Sequence, residues 1–229
     1  MLMTDSRTFA QVVQSKLSAD ILSGRLVPGS RLRLIQLCET YEVSMSPLRE
    51  ALSELSGQGL VVREGQRGFC VAPVSVEDLR DVAATRIRFE IMALKMAMEF
   101  GDTEWEASIL AAYHRLMRQQ RTLEQLVDEP WEMRHRAFHL ALISACGSPR
   151  QLGFCLNLHD HFDRYRRIAV LRGGAHPRLQ SRHCDIVDAV LTRDVSRACD
   201  LLADHIEESA REFTRLAGPG GFAVHPDPA

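Results

Sequence analysis

A chain of 229 residues has room for one large or two small domains, and 45% apolar with 25% charged residues is ordinary globular composition. The formal net charge of −2, from 28 basic and 30 acidic side chains, excludes a polycation that binds nucleic acid by bulk charge alone. No apolar run approaches bilayer length and Met1–Ala10 is polar, with Asp5 and Arg7, so the expectation is a cytoplasmic protein with no membrane partner. Cys38, Cys70, Cys146, Cys155, Cys184 and Cys199 are scattered without a CxxC pair, mostly in apolar stretches. They read as free thiols, not as disulfides or a thiolate zinc cluster. Lys16 and Lys95 are the only lysines, so arginine carries the positive charge.

In chain order, residues 6–23 place Phe9, Val12, Val13, Leu17, Ile21 and Leu22 at helical spacing, and Ser23-Gly24 ends the run. Val27-Pro28-Gly29-Ser30 is a turn. A short helix follows over 33–41, then a tight connection, Glu42 to Met45, then a helix over 46–58. Ser46 is the expected N-cap of that helix, Pro47 its first residue and Gly59 its stop. Residues 60–63 and 68–72 read as strands joined by the polar turn Glu64-Gly65-Gln66-Arg67. Three helices and a two-stranded ribbon describe a winged helix-turn-helix over residues 1–74; a small structural α+β unit is the alternative.

Ser75-Val76-Glu77-Asp78 opens a second region, 75–217, that is helical in period. Its breaks fall near Gly101, Asp128-Glu129-Pro130, Gly147-Ser148-Pro149, Gly173-Gly174 and Arg193-Asp194. About six helices suffice for an antiparallel all-α bundle. Residues 218–229, rich in glycine and proline, read as a disordered tail. The fold class is mainly α: a winged helix-turn-helix followed by a helical bundle.

In a helix-turn-helix the second helix sets its N-terminal residues against base edges, and flanking groups hold phosphates. Here that helix begins Ser44-Met45-Ser46-Pro47-Leu48-Arg49. Ser44 and Ser46 can reach phosphate beside Pro47 at the helix N-terminus, and Arg49 can reach phosphate or guanine. Arg31 and Arg33 precede the shorter helix as backbone contacts, and Arg67 sits at the wing tip.

The helical region turns histidines inward. His135 and His139, four residues apart, share a face with Leu142, Ile143 and Cys146. His183 aligns with Leu179, Ile186, Val187 and Val190, and His205 with Ala198, Leu201 and Leu202. One inward histidine is more often a hydrogen-bonded core residue than a ligand. Four on converging faces need partners, and neutral imidazole binds zinc, nickel, copper or iron. The HxxxH spacing invites a metalloprotease reading, but the HExxH general base is replaced by Arg136, which argues against an enzyme. His159 and His161 are near-pocket, solvated or core residues, His114, His176 and His225 surface residues, and Trp105 and Trp131 packing anchors.

Gly24, Pro28-Gly29, Leu32, Leu37, Val43-Ser44, Pro47-Leu48-Arg49-Glu50-Ala51-Leu52, Leu55, Gly59-Leu60-Val61, Gly68 and Val71 together resemble the GntR family of bacterial regulators. One departure is Met45, where many relatives carry arginine, so the operator read by this chain is expected to differ. From Leu79 to Ser209, Arg86, Phe89-Glu90, Phe138-His139, His183 and His205 resemble the FCD effector domain of the branch named after the fatty-acid regulator FadR. That resemblance implies a divalent metal held by an aspartate and three histidines. The aspartate position is His135 here, giving a nitrogen-rich set of His135, His139, His183 and His205 for zinc, with nickel or iron as alternatives.

It also implies a small carboxylate effector met by an arginine, for which Arg86 is the first choice and Arg136 and Arg164, with Arg167, are weaker ones. The Arg134-His135-Arg136-Ala137-Phe138-His139 string is similar to that of relatives resembling the CsiR repressor, which responds to a short dicarboxylate or hydroxy acid. The implied function is a repressor bound as a homodimer to a pseudo-palindromic double-stranded DNA operator. A metal-dependent enzyme and a metal-storage or protein-interaction module are the rival classes.

Overall fold

The structure is a computed structural model that describes residues 8–65, 68–119, 129–173, 182–218 and 222. The chain divides into two compact units, one up to Ser75 and one spanning Val76–Phe222.

The first unit runs α1 (Phe9–Leu22), β1 (Arg31–Leu32), α2 (Leu34–Tyr41), α3 (Met45–Gly57), β2 (Val61–Arg63) and β3 (Phe69–Val71). A capping box opens α1: the Thr8 hydroxyl accepts from Gln11 N–H while the Gln11 side chain accepts from Thr8 N–H. Val13, Leu17 and Ile21 of α1 meet Leu48, Leu52 and Leu55 of α3 in one apolar core, closed below by Leu32, Leu37, Val61, Phe69 and Val71. Tyr41 donates to the Asp20 carboxylate at 2.5 Å and ties α2 to α1.

The wing is a three-stranded antiparallel sheet in the order β1-β3-β2, not the expected two-stranded ribbon. After the Pro28-Gly29 turn the chain is extended, and Val71 N–H donates to the Ser30 carbonyl at 2.9 Å. A two-residue strand is too short to carry an alternating pattern, which is why it cannot be read as one. The start of α3 also differs by one position. Its N-cap is Ser44, and Pro47 is the third helical residue rather than the first. Pro47 offers no N–H there, so the Ser44 hydroxyl makes no capping bond and stays at the exposed helix terminus. Gly59, with φ of 77°, supplies the left-handed residue that ends the turn, as expected.

The second unit is all-helical in its described residues: α4 (Val76–Phe100), α5 (Thr103–Met117), α6 (Glu129–Ile143), α7 (Pro149–Gly173), α8 (Arg182–Leu191) and α9 (Val195–Ala217). Helix α4 packs on α7, α9 and α6, while α5 packs on α6 and α8. None of the described helices is long and apolar enough to cross a membrane. Arg193 staples the α8–α9 turn to the α4–α5 turn, donating to the Met98 and Gly101 carbonyls at 2.5 and 2.8 Å. Its guanidinium lies 5.2 Å from the Trp105 ring, whose indole N–H donates to the Ala141 carbonyl.

Gly101 passes so close to that ring that an added Cβ would lie 2.1 Å from it. Gly101→Ala is therefore expected to cost about 1–3 kcal/mol through overpacking, read as a lower Tm with unchanged helix content. An unchanged Tm would show that Trp105 repacks freely. Phe222, inside the segment expected to be disordered, is buried with its ring 4.9 Å from Tyr165. Residues 219–221 and 223–229 of that segment lie outside the described residues, as do Arg67, His176 and Leu179.

Candidate functional site

The helical unit converges four imidazoles on one buried chamber. Helix α6 supplies His135 and His139, α8 supplies His183 and α9 supplies His205, each at most 6% exposed. One ring nitrogen from each lies within 4.8 Å of the others. The Nε2 atoms of His135 and His139 are 3.2 Å apart, and the His183 and His205 ring centroids are 4.7 Å apart. Among the described residues, His139 Nδ1 and both His183 nitrogens have no hydrogen-bond partner. Orphaned buried ring nitrogens are costly without an occupant, so a buried cluster of close ring nitrogens that includes them fits a cation. The cluster can hold a metal ion.

Electrostatics keep these rings neutral. Burial pushes His183 down to about 4, and the Arg166 guanidinium adds to the shift. His135, His139 and His205 are lowered first by burial and then by neighbouring cationic groups. A deprotonated imidazole is the form that ligates metal.

Behind the cluster, α7 brings His159, Asp163 and Arg166 to one face at i, i+4 and i+7. Arg166 donates to His135 Nδ1 at 2.6 Å, pairs with Asp163 at 2.8 Å and pairs with Glu132. His159 is 1% exposed, and neither ring nitrogen has a hydrogen-bond partner among the described residues. Its nearest carboxylate, Asp163, is 3.7 Å away. With His135, His159 and Asp163 form a second group of close ligand atoms. Trp131 stacks on His135 at 4.6 Å and 18°, so this packing anchor orients a chamber residue.

The arginines expected to meet an effector separate into three environments. Arg86 is buried beneath the chamber, donating to Glu90 at 2.6 Å and lying over the Phe162 ring at 4.8 Å. Its positive charge lowers His139, His159 and His205. Arg136 is half-buried and paired with Asp160, and it also acts on His159. Arg164 faces Tyr165 and Asp78, and burial lowers it to about 10. Along α7, Arg164, Arg166 and Arg167 are all buried, because α4 and α9 both pack on that helix. Arg166 and Asp163 were missed because nothing in a run of arginines marks which one faces a histidine. The i, i+4, i+7 spacing from His159 was the available signal.

In the first unit, Arg31, Arg33, Ser44, Ser46 and Arg49 are exposed and Pro47 is half-buried. Arg49 and Ser53 of α3 share a cleft with Arg63 and Gly65 of the wing. Nothing in the sequence pattern marks Arg63 as part of this cleft.

Residues 9–71 match the family described as bacterial regulatory proteins, gntR family, and residues 81–208 match the FCD domain. The chain belongs to the GntR family, in its FCD-bearing FadR branch. This GntR chain is 42% identical to the HTH-type transcriptional regulator BphR of Paraburkholderia xenovorans strain LB400, over 92% of this chain and 88% of that one. It is 36% identical to the HTH-type transcriptional repressor GlaR of Escherichia coli strain K12, over 83% of this chain and 89% of that one. The fold is shared with Escherichia coli McbR/YncC at a TM-score of 0.77 and 20% identity, over 91% of this chain and 98% of that one. As a GntR member it is a DNA-binding transcription regulator with a ligand-binding domain, not an enzyme.

Proposed function

We propose that this regulator grips a pseudo-palindromic operator as a homodimer in the cytoplasm and releases it in response to a small carboxylate. Residues 1–74 form its DNA-binding domain and 75–217 its sensor. Arg49 reads bases or phosphate from the second turn of α3. Arg31, Arg33, Ser44, Ser46 and Pro47 contact the DNA backbone, and Arg67, outside the described residues, is assigned to the DNA with them. His135, His139, His183 and His205 surround a divalent metal, for which zinc is our choice and nickel or iron the alternatives. A bound divalent ion supplies a positive centre on which a carboxylate oxygen can coordinate.

Arg86 and Arg136 bring further positive charge to that chamber, while Arg164 is the weakest of the three effector contacts. The observation that carries the sensor reading is the set of four buried imidazoles with one ring nitrogen each within 4.8 Å of the others, two of them, His139 and His183, bearing orphaned nitrogens. A ligand alters operator affinity only if it binds one arrangement of the protein better than the other. Repression is the sense favoured by the name of the relative GlaR.

A gel shift on DNA upstream of the protein's own gene tests the reading. A specific, salt-sensitive shift that a mono- or dicarboxylate relieves is expected. No specific shift with or without such acids would sink it.

A further inference from the structure

Arginine has five N–H donors and no acceptor. Arg166 Nη1 lies 2.6 Å from His135 Nδ1, so that nitrogen must present its lone pair. A neutral imidazole carries one N–H, which leaves the proton on Nε2. That atom faces His139 Nε2 at 3.2 Å, an N–H to N hydrogen-bond distance, and His139 accepts. Arg166 cannot swing aside cheaply, because Asp163 and Glu132 hold its other nitrogen in a buried ion network. Turning the His135 ring over would set a C–H against the guanidinium, and the Trp131 stack would not resist or assist the turn. Letting His135 take its proton on Nδ1 would oppose two donors.

We infer that Arg166 fixes His135 as the Nε2–H tautomer, so that His139, His183 and His205 alone ligate the ion and His135 stands beside it as a hydrogen-bond donor. The inference rests on the metal reading above and divides its four histidines into three ligands and one donor. Three protein nitrogens leave an open coordination position, the arrangement by which a site takes an exogenous oxygen. The His135 N–H, losing His139 as acceptor when that lone pair turns to metal, is the donor next to this position. Its partner by chemistry is an oxygen anion: hydroxide, or one oxygen of a carboxylate. Arg166 is the positioning residue, acting on this position through His135.

Two measurements on the full chain test this. In the metal-free protein, long-range nitrogen-15 spectra of the histidine rings report the tautomer directly, with His135 assigned through His135→Gln. The Nε2–H pattern is expected at His135, and Arg166→Met is expected to shift it toward Nδ1–H, with His139 responding because its Nε2 then no longer accepts from His135. An Nδ1–H pattern in the unmodified protein would overturn the inference, whether or not the Arg166 variant folds.

The second measurement is zinc affinity by competition with a chelator. His135→Gln is expected to lose no more than about tenfold, the low end of an outer-shell effect. His139→Gln, His183→Gln and His205→Gln are each expected to lose more than about a hundredfold, beyond that range. An equal loss in all four variants refutes the three-plus-one division while leaving the metal reading intact. No zinc binding by the unmodified protein refutes the metal reading, and the metal-free spectra still decide the tautomer.

Discussion

Replacing Arg49 by alanine is expected to weaken specific operator binding by about ten- to a hundredfold, the span of one bidentate guanine contact at about 1–3 kcal/mol. The side chain is exposed, and its neighbours Leu48, Ala51 and Leu52 carry the packing of α3. The variant should therefore fold normally, and the loss can be assigned to the interface. Fluorescence anisotropy against operator and scrambled DNA, repeated over salt concentration, separates the two contact types. A base contact is lost on the operator alone. A phosphate contact is lost on both sequences, and the salt slope falls by about one. Affinity within twofold of the unmodified protein on both DNAs would remove Arg49 from the interface.

The metal-free protein is expected to lose stability steeply as pH falls below about 6.5, and the sign follows from proton counting. His183 binds its proton near pH 6.5 when unfolded but only near pH 4 when folded. Between those values the unfolded chain holds more protons, so acid favours unfolding. The contribution is fully present above pH 6.5 and is lost progressively down to about pH 4. That shift alone is worth about 3 kcal/mol. His135, His139, His159 and His205 move in the same direction.

Thermal unfolding of chelator-treated protein should show a Tm roughly 10 °C lower at pH 4.5 than at pH 7.5, counting His183 only. Zinc at a hundred times its dissociation constant should add about 2.7 kcal/mol at pH 7.5, and less in acid, where protons compete for the same nitrogens. A flat Tm from pH 7.5 to 4.5 would mean that the chamber is open to water.

The helices were legible wherever an apolar stripe met a stop signal. Gly59, Gly101 and Asp194 each lie within two residues of a helix end, while Gly147 lies four past the end of α6 and two before α7. Strand β1 was not legible, since two extended residues have no period and its pairing depends on a β3 nearly forty residues away. The four histidines could be read as convergent because each sits on its own helix's apolar face. Their surroundings could not. Spacing along α7 shows that His159, Asp163 and Arg166 share a face, but not that the face meets α6 at His135. The same holds for Glu132 and Glu90, whose pairing with buried arginines turns them from apparent surface charges into parts of the core. Arg63 needed the register of the wing before it could be set beside Arg49.

The near-complete enclosure of the four rings also bears on exchange kinetics. The four side chains around a seated ion are at most 6% exposed, so local opening of the bundle would speed its release. Its residence time would then follow the rate of local opening of α8 and α9, rising steeply with temperature as unfolding rates do. If the cluster holds a metal and exchange is slower than the protein's lifetime, the ion available as the bundle closes would be the one each molecule carries.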